Sequence, residues 1–170
     1  MKQISKFFSL AIVMIAFTVS TYGQVSATAT ATATIVTPIA IANAGNMNFG
    51  NIAVSAAPGT VILAPAGTRT TSGGVTLPII PGTVTQAIFN VTGTPAYTYA
   101  ITLPSVATTV TSGANTMTVT AFTSTPSGTG TLSGAGAQSI NVGATLNVAA
   151  NQASGTYVSG TPFTVTVNYN

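Results

Sequence analysis

Apolar and polar residues alternate with a period of two along much of this chain, which is the pattern of half-buried β-strands. The plainest case is residues 27–35, where small apolar residues alternate with threonine. Its odd-numbered face consists of Ala27, Ala29, Ala31, Ala33 and Ile35. The same face continues toward residue 41, but the proline at position 38 cannot donate to a sheet, so the segment is predicted to be an edge strand or to bend there.

Further strands are predicted between short runs rich in Gly, Pro, Asn and Ser. They lie at residues 47–54, 60–64, 75–80, 83–92, 96–103, 116–123, 144–149 and 163–169. The last of these has one apolar face made of Phe163, Val165, Val167 and Tyr169. Residues 125–136, rich in Gly, Ser and Thr, are predicted to form a loop or a weak hairpin. Many short strands separated by turns predict an all-β, antiparallel sandwich.

Length and composition agree with one folded domain. The chain has 170 residues, 46% hydrophobic and only 2% charged. Low hydrophobicity with high charge is typical of disorder, and this composition is the reverse. Because no composition break marks a second domain, residues 24–170 are predicted to form a single β-sandwich domain.

The first residues have the features of an export signal. Lys2 and Lys6 form a positive start, residues 7–19 are mostly apolar, and small residues follow. We predict a signal peptide at residues 1–23 with cleavage after Gly23; cleavage after Ala27 is the alternative. An uncleaved N-terminal membrane anchor is a further alternative, but the apolar run is short for a span. The expected location is therefore the periplasm, the cell surface or the extracellular space, with no stable membrane span after removal of the signal.

The side-chain inventory argues against catalysis. The chain contains no Asp, Glu, His or Cys. General acid–base catalysis and activated serine or threonine nucleophiles depend on such groups, and protein metal sites are built from them. We therefore expect no enzyme activity, no catalytic residue, no metal site and no cofactor.

After signal removal one charged side chain remains, Arg69. A single arginine is not a basic patch, so nucleic acid is not an expected partner. Its neighbours are Gly67, Thr68, Thr70 and Thr71, and this stretch is predicted to be a solvated loop.

Two segments give a family resemblance when they are considered together. Residues 47–51 read Met-Asn-Phe-Gly-Asn, and residues 152–157 read Gln-Ala-Ser-Gly-Thr-Tyr, before a Thr/Val alternation that ends at Tyr169. This combination resembles domain of unknown function 4402, a family of small secreted bacterial proteins, and is similar to the spore coat protein U domain, which includes subunits of archaic chaperone–usher pili. The resemblance implies an immunoglobulin-like, pilin-like sandwich completed by a neighbour's strand. Pilin domains of this type commonly carry a disulfide, and this chain has no cysteine.

The resemblance leads to a functional hypothesis for the two ends. Residues 25–35 are predicted to be extended, to alternate in side-chain direction and to lie outside the globular body, which suits them to fill an open groove of another copy, with Ala27, Ala29, Ala31, Ala33 and Ile35 as the intersubunit strand. Phe163, Val165, Val167 and Tyr169 would supply the terminal core strand. The expected partners are other copies of the chain or a periplasmic chaperone. Two alternatives stay open: residues 25–41 form the domain's own first strand, or the chain is a soluble adhesin that binds surface glycans, with residues 125–136 as a contact loop.

Overall fold

The structure is a computed structural model that describes residues 23–170, and the predicted signal peptide before Gly23 lies outside the described residues. The chain divides into two units, the first ending at Ile35 and the second running from Val36 to Asn170. In the first unit, residues 23–35 are exposed and contain no strand. Alternation predicts strand geometry, but a β-strand is stable only when its backbone pairs in a sheet. The first strand among the described residues accordingly begins at Ala40.

The second unit contains eleven β-strands. They are β1 (Ala40–Gly45), β2 (Ala53–Leu63), β3 (Arg69–Thr76), β4 (Ala87–Thr92), β5 (Thr98–Thr102), β6 (Thr108–Ser112), β7 (Asn115–Thr125), β8 (Thr129–Thr131), β9 (Ala137–Val148), β10 (Val158–Ser159) and β11 (Thr166–Tyr169). All of their pairings are antiparallel. Within residues 23–170 there is no helix long and apolar enough to cross a membrane.

The larger sheet has eight strands and is organised around β9. The first half of β9 pairs with β4 up to Val142, and the second half pairs with β2 from Ala144 onward, while β7 lies along its other side. The change of partner occurs at Gly143, where a Cβ would lie 2.1 Å from the Leu63 carbonyl oxygen. Only glycine fits there, so this residue allows two strands to share one edge of β9.

The smaller sheet has three strands in the order β11-β5-β8 and packs on one half of the larger sheet. The core between the two sheets contains residues of both. They include Phe89, Val91, Tyr99, Ile101, Leu132, Ile140, Val142, Val165 and Val167. This arrangement confirms the predicted all-β antiparallel sandwich.

A second cluster of buried residues lies on the other half of the larger sheet. It contains Val61, Val75, Val119, Ala144, Leu146 and Val148. No strand of the three-stranded sheet contributes to this cluster. It is covered instead by partly buried side chains from the segments beside it, including Met47, Phe49 and Ile52.

Several predicted strand limits were wrong. Residues 69–71 begin β3, although residues 67–71 were predicted to be a solvated loop, and residues 77–80 are a loop, although residues 75–80 were predicted to be strand. The predicted strand at residues 47–54 contributes only an isolated bridge at Asn48 and the start of β2. Strands β6 and β10 and the first half of β9 were missed, because these stretches have little apolar alternation, and β8 lies in the stretch predicted to be a loop or a weak hairpin.

Candidate functional site: an apolar groove

A long groove of about 880 Å³ opens over the second cluster of buried residues. Its lining mixes apolar side chains with polar backbone, hydroxyl and amide groups, and the apolar surface is the larger part. The apolar lining residues include Met47, Phe49, Ile52, Val110, Met117, Leu146, Val148 and Phe163. A groove of this kind leaves apolar surface in contact with water, which is typical of a binding surface.

One side of the groove is formed by residues 46–52, here called the first lip. Its backbone is bound to the stretch before β4 through two hydrogen bonds, from the Asn48 amide to the Thr85 carbonyl oxygen at 2.8 Å and from the Thr85 amide to the Asn48 carbonyl oxygen at 3.0 Å. The Asn48 side chain also accepts a hydrogen bond from the Gly50 amide at 2.8 Å. These contacts fix a tight turn, and Gly50 has a φ of +69°, a conformation that favours glycine.

Arg69 holds the first lip from the side of β3. Its guanidinium donates to the carbonyl oxygen of Phe49 and to that of Asn51, the latter at 3.0 Å. The prediction that this arginine lies in a solvated loop was therefore wrong: it is half-buried at the start of β3 and binds two backbone carbonyls. A planar guanidinium has several donors in fixed directions and suits this double contact.

The opposite side of the groove is formed by residues 152–159, here called the second lip. The Gln152 amide donates to the Thr116 carbonyl oxygen at 3.2 Å and to the Tyr157 hydroxyl at 2.8 Å. The Tyr157 hydroxyl in turn donates to the Ala153 carbonyl oxygen at 2.8 Å. The first of these contacts ties the second lip to β7, and the other two hold residues of the lip to one another, without any charged group.

The two sheet edges beside the groove are open. Among the described residues, β1 pairs only with β4 and β10 pairs only with β6, and the groove lining includes Asn43 of β1 and Val158 and Ser159 of β10. A strand edge with no partner exposes a row of backbone amides and carbonyls that can pair with another extended chain. The groove therefore combines an apolar floor with backbone groups available for pairing.

The terminal residues singled out from the sequence lie in and beside the core. Val165 and Val167 are buried, while Phe163 and Tyr169 are half-buried and pack against the same cluster. The Phe163 ring also lines the groove and stacks on Phe122, with ring centroids 4.8 Å apart. Of the seven residues from 163 to 169, only Thr166–Tyr169 form strand β11.

The N-terminal residues singled out from the sequence are exposed. Ala27, Ala29, Ala31 and Ala33 have exposed side chains, and the side chain of Ile35 is 98% exposed. No strand is assigned to them. Residues 125–136, the candidate glycan-contact loop, contain β8, and their Leu132 is buried in the core.

The groove offers shape, apolar contact and backbone hydrogen bonds. Within residues 23–170 no cluster of metal-ligating side chains occurs. One titratable group has a clearly shifted pKa: burial raises the pKa of the Tyr99 hydroxyl above its ordinary value, because the ionised form would lose its hydration. That hydroxyl donates to the Gln138 side-chain oxygen at 2.7 Å inside the core, away from the groove lining.

A family model described as Domain of unknown function (DUF4402) matches residues 39–169. The chain belongs to the DUF4402 family. No curated protein and no solved structure matches the chain. The two segments that carried the resemblance in the sequence, residues 47–51 and 152–157, lie in the first and second lips of the groove. Sequence reasoning found these landmarks but did not place them opposite each other, because no local pattern relates segments about a hundred residues apart.

Proposed function

We propose that this DUF4402 chain is an exported, non-enzymatic structural subunit of the cell surface, pilin-like, that assembles by β-strand addition. In this proposal residues 27–35 of one copy enter the apolar groove of another copy. The observation that carries it is the groove itself, an open apolar channel beside two unpaired strand edges. Its similarity to chaperone–usher pilins and the spore coat protein U domain is part of the proposal.

The groove and the N-terminal segment are complementary in chemistry. The groove lining has no charged side chain, and residues 24–36 contain none. Residues 27–35 place only alanines and one isoleucine on one face and threonines on the other. Insertion of this segment would therefore bury small apolar side chains and leave the threonine hydroxyls toward water, with no cost for desolvating a charge.

The size of such an interface is sufficient for stable association. Nine or ten paired residues would bury on the order of 1,500 Å² in total, which is the size of a standard specific interface. Backbone hydrogen bonds along the open edge would supply affinity, and the side-chain positions would supply register. Before assembly the exposed groove needs protection from aggregation, so we include a periplasmic chaperone among the partners.

The test compares the chain beginning at Gln24 with a version beginning at Ile35, using sedimentation velocity over a range of concentrations. We expect species of high mass only for the longer chain, and we expect a synthetic peptide of residues 24–36 to bind the shorter one. Two monomers with equal melting temperatures and no peptide uptake would contradict strand addition. That result would favour the soluble adhesin, which glycan-array binding would then test.

A matched pair of variants tests the face that enters the groove. Ala31→Lys places a charge on the face that we expect to be buried, whereas Thr32→Lys places the same charge on the face that we expect to stay in water. We expect the first substitution to abolish assembly and the second to leave it nearly unchanged, since a buried unpaired charge is strongly unfavourable. Equal effects of both substitutions would contradict the proposed insertion.

A further inference from the structure

The two methionines that follow the predicted signal peptide both line the apolar groove. The sequence has four methionines, and Met1 and Met14 lie in the predicted signal peptide, so a chain beginning at Gln24 keeps Met47 and Met117. Both of these line the groove and are half-buried. The chain has no Cys, Trp or His. Thioethers are therefore the side chains that a peroxide oxidises most readily, and in this chain an oxidant acts first on the groove.

The two thioethers lie beside different lips of the groove. Met47 is in the first lip, next to Asn48, whose backbone pairs with the stretch before β4, and it packs against both clusters of buried residues. Met117 lies on β7 and packs against the second cluster. The carbonyl oxygen of the residue before it, Thr116, accepts the hydrogen bond from the Gln152 amide that fixes the second lip. One thioether thus belongs to the first lip, and the other lies beside the anchor of the second lip.

Oxidation by hydrogen peroxide changes the polarity of these side chains without giving them a charge. The thioether sulfur attacks one peroxide oxygen, an S–O bond forms as the O–O bond breaks, and the other oxygen leaves as water after proton transfer. The sulfur loses two electrons and the peroxide gains them. The resulting sulfoxide is polar, whereas the thioether is a flexible apolar group. The groove is open and has a volume of about 880 Å³, so hydrogen peroxide has access to its lining.

We propose that Met47 and Met117 form a peroxide-sensitive switch that controls the binding of apolar ligands in the groove. While the groove is open, water hydrates the sulfoxide oxygens. An apolar ligand that covers them removes this water and offers no side-chain donor in exchange, so binding becomes less favourable. The inference rests on the proposed function for one ligand, residues 27–35 of another copy, whereas the loss of apolar binding does not depend on it. Reduction of the sulfoxides restores the groove.

The test uses the chain beginning at Gln24, treated with dilute hydrogen peroxide until mass spectrometry shows one added oxygen atom on each methionine. Two probes report on the groove at concentrations below that of assembly: the neutral dye Nile red and a labelled peptide of residues 24–36. We expect the dissociation constant of each probe to rise about tenfold or more, with an unchanged circular dichroism spectrum. Methionine sulfoxide reductases with dithiothreitol, which becomes a disulfide as the oxygen leaves as water, should restore binding.

Matched variants separate the groove from other effects of peroxide. The double substitution Met47→Leu and Met117→Leu nearly conserves side-chain volume, so it should bind both probes normally and should not respond to peroxide. The single variants keep one thioether each and should lose part of the response; they give the same comparison if the double variant does not fold. Adding Ile79→Met to the double variant returns one thioether at a fully exposed position outside the groove lining. Its oxidation should leave the binding of both probes unchanged.

The outcomes distinguish this inference from the proposed function. Unchanged binding of both probes after oxidation of both sulfurs overturns the switch, and so does unfolding of the oxidised chain. An equal loss of binding in the double leucine variant, or in its Ile79→Met derivative, also overturns it, because peroxide would then act outside the groove. If the unoxidised chain binds the dye but not the peptide, the proposed function fails, while loss of dye binding on oxidation still supports the switch. A chain that binds neither probe before oxidation overturns both.

Discussion

The hydroxyl of Tyr169 donates a hydrogen bond to the carbonyl oxygen of Thr37, 2.9 Å away, and accepts one from the Thr94 amide at 2.7 Å. One side chain near the C-terminus thus fixes both the backbone that precedes β1 and the turn that follows β4. In the proposed assembly this is the point from which the donated segment leaves the body of the subunit. Tyr169 therefore connects the core to the backbone that precedes β1.

Replacing Tyr169 by Phe should destabilise the fold by about 1–3 kcal/mol, because the half-buried Thr94 amide and the exposed Thr37 carbonyl both lose a hydrogen-bond partner. For a domain of this size that loss corresponds to a fall in melting temperature of roughly 2–12 °C. Thermal unfolding followed by circular dichroism measures it. The control is Tyr97→Phe, whose hydroxyl makes no hydrogen bond to another described residue; an equal effect of both substitutions would contradict the role given to the Tyr169 hydroxyl.

Replacing Arg69 by Met should weaken the first lip. The carbonyl oxygens of Phe49 and Asn51 lose their shared donor, and we expect a destabilisation of about 1–3 kcal/mol in urea titrations. Arg69→Lys keeps the charge but not the forked donor, so it should restore only part of the stability. Because the chain has no carboxylate side chain to pair with Arg69, the stability of the unsubstituted protein should change little with salt concentration. Full stability of the Met variant would rule out this role.

Replacing Gly143 by Ala should disrupt the change of partner along β9. The new methyl group would meet the Leu63 carbonyl oxygen and the backbone of Ala64, which cannot move without separating β2 from β9. We expect a loss of about 1–3 kcal/mol or more, as for other forced overpacking. Gly134→Ala is the matched control, since nothing lies within 4 Å of a Cβ at that glycine. Denaturant midpoints of the two variants should differ clearly.

Stability of the chain beginning at Gln24 should be nearly constant between about pH 5 and pH 8.5, because no side chain titrates in that range. At alkaline pH it should fall. The pKa of Tyr99 is raised in the folded state by burial, so the unfolded chain loses this proton first, and stability decreases as the pH rises above the unfolded value of about 10. Urea midpoints at pH 7 and pH 11 measure the decrease.

The matched variant for the alkaline effect is Tyr99→Phe. It should be less stable at neutral pH, because Gln138 loses a hydrogen bond inside the core, but it should show a smaller alkaline decrease. An identical pH profile for both proteins would show that Tyr99 is not responsible. A melting temperature that moves by many degrees between pH 5 and pH 8.5 would contradict the expected plateau.

Sequence patterns located the strands with a strong two-residue period. The apolar face at 163–169 and the alternation around Tyr99 both correspond to strands that pack in the core, since alternation reports directly which side chains a sheet buries. The two-residue alternation did not predict strands that contain few apolar residues. Residues 69–74 contain two glycines and no large apolar residue, yet they form β3, because β2 supplies a partner that the local sequence does not reveal.

The candidate site likewise has parts that the sequence indicated and parts that only the tertiary structure revealed. The Met-Asn-Phe-Gly-Asn and Gln-Ala-Ser-Gly-Thr-Tyr segments were recognisable as landmarks, but nothing in either segment indicates that the other faces it. Arg69 is the one charged side chain expected after signal removal, and it was predicted to lie in a solvated loop. Its actual partners are backbone carbonyls, which every residue carries, so the sequence does not indicate which residues accept its hydrogen bonds.

The sequence by itself determined the all-β class, the absence of carboxylate, imidazole and thiol side chains, and the apolar faces of the clearest strands. These properties follow from residue type and spacing, which are local. Only the tertiary structure decided that β9 divides its edge between β4 and β2, that the two lips face each other, and that half of the larger sheet stays open as a groove. Those features depend on which distant backbone segments pair and pack, and alternation fixes the faces of a strand without choosing its neighbours.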